Sequence, residues 1–150
     1  MRTVISTLEF LAGGWRAERV IEDFHSGTAG AFTGTASFTA LGDAAHPGAL
    51  GYREHGQLVY GRHRGPASRS LLYLPAADGS VAVRFADGRP FYALDLRPGI
   101  WQADHPCGMD GYHVTVQLLG PDAYTEQWRV TGPGKDYLMT TTLTRLGTAA

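Results

Sequence analysis

Glycine and proline interrupt this chain so often that no long helix can be written through it. Twenty Gly and eight Pro are spread over 150 residues. They cluster in turn signals: His25-Ser26-Gly27, Gly42-Asp43, Ala77-Asp78-Gly79, Ala86-Asp87-Gly88, Arg97-Pro98-Gly99, Leu119-Gly120-Pro121-Asp122 and Gly132-Pro133-Gly134. Short apolar runs between such signals read as strands joined by hairpins. Asp78-Gly79 and Asp87-Gly88 are the strongest hairpin signals, because Asp-Gly tolerates the positive φ of tight turns. The expected strands are Trp15–Phe24, Gly34–Leu41, Leu50–Tyr60, Arg69–Pro75, Ser80–Phe85, Pro90–Leu96, Gly99–Asp104, Tyr112–Leu119, Ala123–Thr131 and Tyr137–Leu146. One helix precedes them, Thr3–Ala12, with Val4, Leu8 and Leu11 on one face. Thr3 and Ser6 are alternative caps, and Gly13-Gly14 stop it. A run of hairpins without a crossover helix is an antiparallel meander, and closure removes its exposed edges. The expectation is all-β: a single closed antiparallel up-and-down β-barrel of nine or ten strands with a short N-terminal helix. A β-sandwich is the rival.

Composition narrows the class of partner. The chain is long enough for one domain with a real core. Hydrophobic residues make up 43% and charged residues 18%, with a net charge of −1, so no basic field exists to hold nucleic acid or an anionic membrane. No apolar run approaches the roughly 20 residues that span a bilayer. A single cysteine, Cys107, excludes an internal disulfide framework. A cytoplasmic protein, monomer or homodimer, is expected.

Gly14-Trp15 opens the first strand after the helix, and Arg145 lies on the last. This pairing resembles the calycin pattern of lipocalins and fatty-acid-binding proteins, in which a basic residue of the last strand covers a first-strand Trp and closes the barrel base. Cation–π attraction and burial of the Arg stem are its physical basis. A wider resemblance rests on Tyr52-Arg53-Glu54-His55-Gly56, His105-Pro106-Cys107-Gly108-Met109-Asp110-Gly111-Tyr112 and Trp128-Arg129-Val130-Thr131-Gly132-Pro133-Gly134-Lys135-Asp136-Tyr137. These stretches are similar to a family of small bacterial proteins of unknown function, DUF6314. That family often carries Phe-His where this chain has Phe91-Tyr92. The resemblance implies a lipocalin-like barrel and brings no chemistry with it.

Asp104–Tyr112 is the densest chemical stretch. Its Pro and Gly content implies a bent strand or a rim loop, where ligands enter barrels. The functional reading makes His105 and Asp110 an acid/base pair, with Tyr112 as hydrogen-bond donor. The structural reading has Asp110 capping a turn. Cys107 reads as a packing or pocket residue, because nearby Asp104 and Asp110 disfavour a thiolate. A metal site from His105, Cys107 and Asp110 lacks a second matching cluster, so no metal is expected.

Tyr52 and Glu54 share one strand face, Arg53 and His55 the other. Turned inward, Glu54 needs a partner, for which Arg84 or Arg129 are candidates, and it becomes an anchor or a base of raised pKa. Turned outward, it is solvent-facing. Arg19 is a third mid-strand arginine. Tyr73, Phe85, Phe91, Tyr92, Trp101, Tyr112, Tyr124 and Trp128 make either an ordinary core or a flat pocket. Lys135-Asp136-Tyr137 reads as a hairpin with a local ion pair.

The reading is a small-molecule barrel, acting as a cofactor-independent acid/base enzyme of isomerase, lyase or cyclase type on a hydrophobic or aromatic substrate. His105, Asp110, Glu54 and Tyr112 are the catalytic candidates. Tyr52, Tyr73, Arg84, Phe91, Tyr92, Cys107, Trp128 and Arg129 are the ligand-binding ones. The alternatives are a carrier of a small apolar ligand and, less favoured, a haem-binding barrel. No cofactor is assigned.

Overall fold

The computed structural model describes residues 4–147; the side chains of Pro106 and Cys107 lie outside that description. A short helix, α1 (Thr7–Leu11), precedes ten strands: β1 (Gly13–Asp23), β2 (Ala29–Ala40), β3 (Leu50–Tyr60), β4 (His63–Pro75), β5 (Val81–Phe85), β6 (Pro90–Leu94), β7 (Ile100–Cys107), β8 (Asp110–Gly120), β9 (Ala123–Gly132) and β10 (Lys135–Arg145). All are antiparallel to their neighbours in one sheet, ordered β6-β5-β4-β3-β2-β1-β10-β9-β8-β7. The first and last strands therefore pair with each other, and the sheet curls into a nearly closed barrel. Its seam lies between β6 and β7, which share no hydrogen-bonded ladder. The Trp101 indole bridges it by donating to the Ala93 carbonyl at 2.7 Å.

The period-two alternation of the strands sets the core. Trp15, Ala17 and Arg19 of β1 point inward, as do Phe32, Ala36 and Phe38 of β2 and Val114, Val116 and Leu118 of β8. Gly34 and Gly56 face each other across β2 and β3. A side-chain carbon on either would collide with the backbone carbonyl of His55 or Thr33, so this pair lets the two strands bend tightly together.

The base closes as the Trp–Arg pairing implied. Trp15 lies directly opposite Arg145 in the β1–β10 register and is fully buried. The Arg145 guanidinium sits 4.3 Å from the Trp15 ring centroid. It also donates to the carbonyls of Phe10 at 2.9 Å and Pro121 at 3.1 Å. The Trp15 indole donates to the Leu11 carbonyl at 2.8 Å, which locks α1 across the barrel end.

Several boundaries differ from the sequence expectation. α1 is shorter, and Ser6 is its cap, accepting from the Glu9 amide at 3.3 Å; Thr3 lies outside the described residues. β2 and β4 begin several residues earlier than expected, in stretches where Gly30, Gly65 and Pro66 mask the pattern. In both Asp-Gly turns the aspartate keeps negative φ, and the glycine alone is left-handed, at +88° for Gly79 and +91° for Gly88. These are type I turns completed by a left-handed glycine, each aspartate accepting from the amide two residues on.

Candidate functional site

Two polar layers lie above the closed base. The lower is centred on Glu54, which alternation on β3 turns inward together with Tyr52. Arg19 clamps its carboxylate with two hydrogen bonds of 2.8 and 2.9 Å. The Tyr52 hydroxyl donates to it at 2.5 Å and Arg69 at 3.3 Å. Arg19 is held in turn by its Nε bond to Thr141 Oγ1, 2.8 Å. Burial by itself raises the pKa of Glu54, but the Arg19 bonds, the Arg69 charge and the Tyr52 hydroxyl outweigh it and bring the value down to about 2. Glu54 is a fixed anion. The raised pKa expected of an inward Glu54 is therefore reversed, because two guanidiniums favour the charged form more than burial opposes it. Its partners are also not the expected ones. Arg84 and Arg129 alternate onto the outer wall, where Arg84 donates to the Gly88 carbonyl and Arg129 pairs with Asp136 and lies over Phe24.

The upper layer surrounds a cavity of about 340 Å³ that opens at the mouth. Its wall is a run of aromatic rings. Phe91 stacks on Trp128, centroids 5.0 Å apart and planes 4° from parallel, and on Phe85 at 4.5 Å. His105 stands edge-on to Phe91 at 5.4 Å. Tyr112 and Arg69 complete the lining, with Arg89 at the rim and Val130 and Met139 behind. Two neighbours in sequence, Phe91 and Tyr92, both serve the interior because the β5–β6 register shifts between Val83 and Arg84. The bulge leaves Phe91 as an extra residue and re-aims its ring.

The His105–Tyr112 segment is a hairpin tip at the rim. β7 runs through Cys107 and turns at Gly108-Met109 into β8, with His105 opposite Tyr112. Pro106 is tolerated because β7 is an edge strand. His105 and Tyr112 both line the cavity, whereas Asp110 turns to Lys135, Nζ to carboxylate 3.0 Å. The expected His105–Asp110 pair does not form among the described residues. Lys135 Nζ also donates to the Tyr112 hydroxyl at 2.8 Å. That bond first, then Asp110, pushes the Lys135 pKa up. The His–carboxylate pair this hairpin does hold is His113 with Asp104, 2.8 Å apart on the outer wall.

Of the other expected ligand residues, Phe91 and Trp128 line the cavity. Tyr52, Tyr73 and Tyr92 are buried beneath it, and burial drives their phenol pKa values well above the ordinary range. The Cys107 side chain lies outside the described residues. Among the described residues, no three His, Cys, Asp or Glu side chains gather as a metal site, and no helix is long and apolar enough to cross a membrane. Sequence reasoning passed over Arg69, although Arg69, Leu71 and Tyr73 alternate onto one face of β4.

Residues 11–145 match the model of a family of unknown function. The chain belongs to DUF6314. No curated protein matches this DUF6314 chain in sequence. Among solved structures it resembles the S-type phycobiliprotein lyase CPES of Guillardia theta, with a TM-score of 0.65 at 13% identity, over 99% of this chain and 95% of that one. It also resembles a protein of unknown function from the DUF3598 family of Nostoc punctiforme, with a TM-score of 0.62 at 14% identity, over 97% of this chain and 51% of the other. At such identities the likeness establishes the DUF6314 fold as one shared with these barrels.

Proposed function

We propose that this protein binds a flat aromatic or conjugated small molecule in the mouth cavity. The observation that carries the reading is the run of stacked rings Phe85, Phe91 and Trp128, which lines a space of about 340 Å³. That volume is at the lower end of the about 300–1,000 Å³ typical of ligand sites, room for about two or three fused rings. Offset stacking on such a wall is worth about 0.5–1.5 kcal/mol per aromatic pair beyond burial. The shared fold with a phycobiliprotein lyase supports a ligand-handling use of the barrel.

The test is calorimetric titration with a neutral planar probe, naphthalene-2-carboxamide. Saturable one-to-one binding is expected, weakened tenfold or more by Phe91→Ala. Equal binding by both proteins removes the aromatic wall from the function.

One observation favours acid/base turnover of the bound molecule as a second reading. His105 and the Lys135-bonded Tyr112 share the cavity wall. Because the Tyr112 oxygen accepts from Lys135, its own proton is free to be donated to a substrate oxygen, with the ammonium charge stabilising the phenolate. Under this reading His105→Ala abolishes turnover and leaves probe affinity within twofold. Turnover that persists in His105→Ala takes His105 out of the mechanism. Glu54, held as an anion by Arg19, is a positioning residue for Arg69 in either case.

A further inference from the structure

The cavity wall presents cations to its interior and keeps their carboxylate partners behind it. Two of its lining residues, Arg69 and Arg89, are guanidinium cations, and among the described residues no Asp or Glu lines it. Arg89 is rim-exposed and already closed on Asp87, Nε to carboxylate 2.7 Å. Arg69 is different. It rises from β4 beneath the aromatic stack, and its one hydrogen bond among the described residues is the 3.3 Å contact to Glu54. Glu54 scarcely needs it, since Arg19 takes both carboxylate oxygens and Tyr52 donates as well. The second nearby carboxylate, Glu126, accepts from the Trp128 indole at 2.7 Å. Arg69 Nε is buried without any partner. A guanidinium has five N–H donors, and a buried donor left without an acceptor is destabilising. The Arg69 side chain is 35% exposed and lines the cavity, so its remaining N–H groups can meet an acceptor arriving there, and an anionic one gains most.

Resting on the reading of the cavity as an aromatic-ligand site, we propose that its ligand is an anion: a planar ring system bearing a carboxylate, with the carboxylate seated on Arg69 and the rings against Phe91 and Trp128. Tyr52 supports this seat from below. Its ring lies 6.0 Å from the Arg69 guanidinium, and its hydroxyl fixes Glu54. Arg69 is thus a specificity residue. The aromatic wall accepts any flat molecule, and the guanidinium selects the charged one.

Naphthalene-2-carboxylate and naphthalene-2-carboxamide have the same shape and differ in charge at neutral pH. By calorimetry the wild-type protein should bind the carboxylate at least tenfold more tightly than the amide. Arg69→Met should bring this ratio to within twofold of one while leaving amide affinity within threefold. Arg69→Lys, which keeps a point charge but loses the planar fork, should lower the ratio at least threefold, and it serves if Arg69→Met fails to fold. Arg89→Gln should leave the ratio within twofold. A wild-type ratio near one overturns the anionic ligand while the aromatic-site reading stands. A ratio erased by Arg89→Gln, or unmoved by both Arg69 variants, overturns Arg69 as the anchor. If neither probe binds, the aromatic-site reading fails and this inference falls with it.

Discussion

The base and the mouth of this barrel are both built on a tryptophan, and they use it in opposite ways. At the base, Trp15 has Arg145 over its ring, Tyr124 edge-on at 5.0 Å and Phe10 at 5.6 Å. Its indole nitrogen is satisfied by α1. At the mouth, Trp128 stacks on Phe91 as closely, but the rings border open space, and the arginine beneath them keeps an unpartnered nitrogen. The first cluster is packed on all sides, whereas the second, though Trp128 itself is buried, borders the cavity along one side. Similar aromatic chemistry thus closes the barrel at one end and borders a cavity at the other. The Glu54–Arg19 ion pair lies between them.

The comparison breaks most sharply at Trp15. Trp15→Ala should cost about 3–5 kcal/mol of stability, the usual penalty for emptying a large core site, read as the urea unfolding midpoint. Naphthalene-2-carboxamide affinity of the folded fraction should stay unchanged. A large loss of affinity at wild-type stability would mean that base and mouth are not separate.

The middle layer should report through pH. The Glu54 carboxyl falls from an ordinary 4.5 to about 2 in the folded chain, worth about 3 kcal/mol. Because the folded value is depressed, that stability is present above about pH 5 and is lost as pH falls toward 2. Glu54→Gln should be destabilised at neutral pH and show a flatter acid limb in urea titrations. A variant as acid-sensitive as wild type would place the sensitivity elsewhere.

The smallest stability effect belongs to the mouth. Phe91→Leu should cost less than about 1.5 kcal/mol, because the site is half open and the replacement remains apolar, yet it should weaken probe binding severalfold. A stability loss as large as that of Trp15→Ala would make the stack core rather than ligand wall.

Much of the fold was legible. Trp15 and Arg145 were readable as the base through the resemblance to the calycin pattern, one opening the first strand after the helix and the other on the last, and the Asp-Gly turns marked two hairpins. The site was less so. Tyr52-Glu54 and Arg53-His55 present equally good inward faces, and nothing local chooses between them. Arg69 was passed over because it stood at the start of the expected strand Arg69–Pro75, where no preceding strand residue marked its face. The proximity of His105 and Asp110 in sequence pointed to a pair, but in the hairpin register Asp110 lies opposite Cys107 and His105 opposite Tyr112, and Lys135 of β10 takes the carboxylate.

Turn chemistry and period-two alternation are local properties, so the amino-acid order alone determined an antiparallel meander of nine or ten strands, and the resemblance of its two ends to the calycin pattern pointed to a shared base. Which face of each strand turned inward, which cation met Glu54, and that Phe91 left the regular register to line a cavity were decided only on folding. Those outcomes depend on the register between strands far apart in sequence, and a shift of one residue exchanges every inward side chain for an outward one.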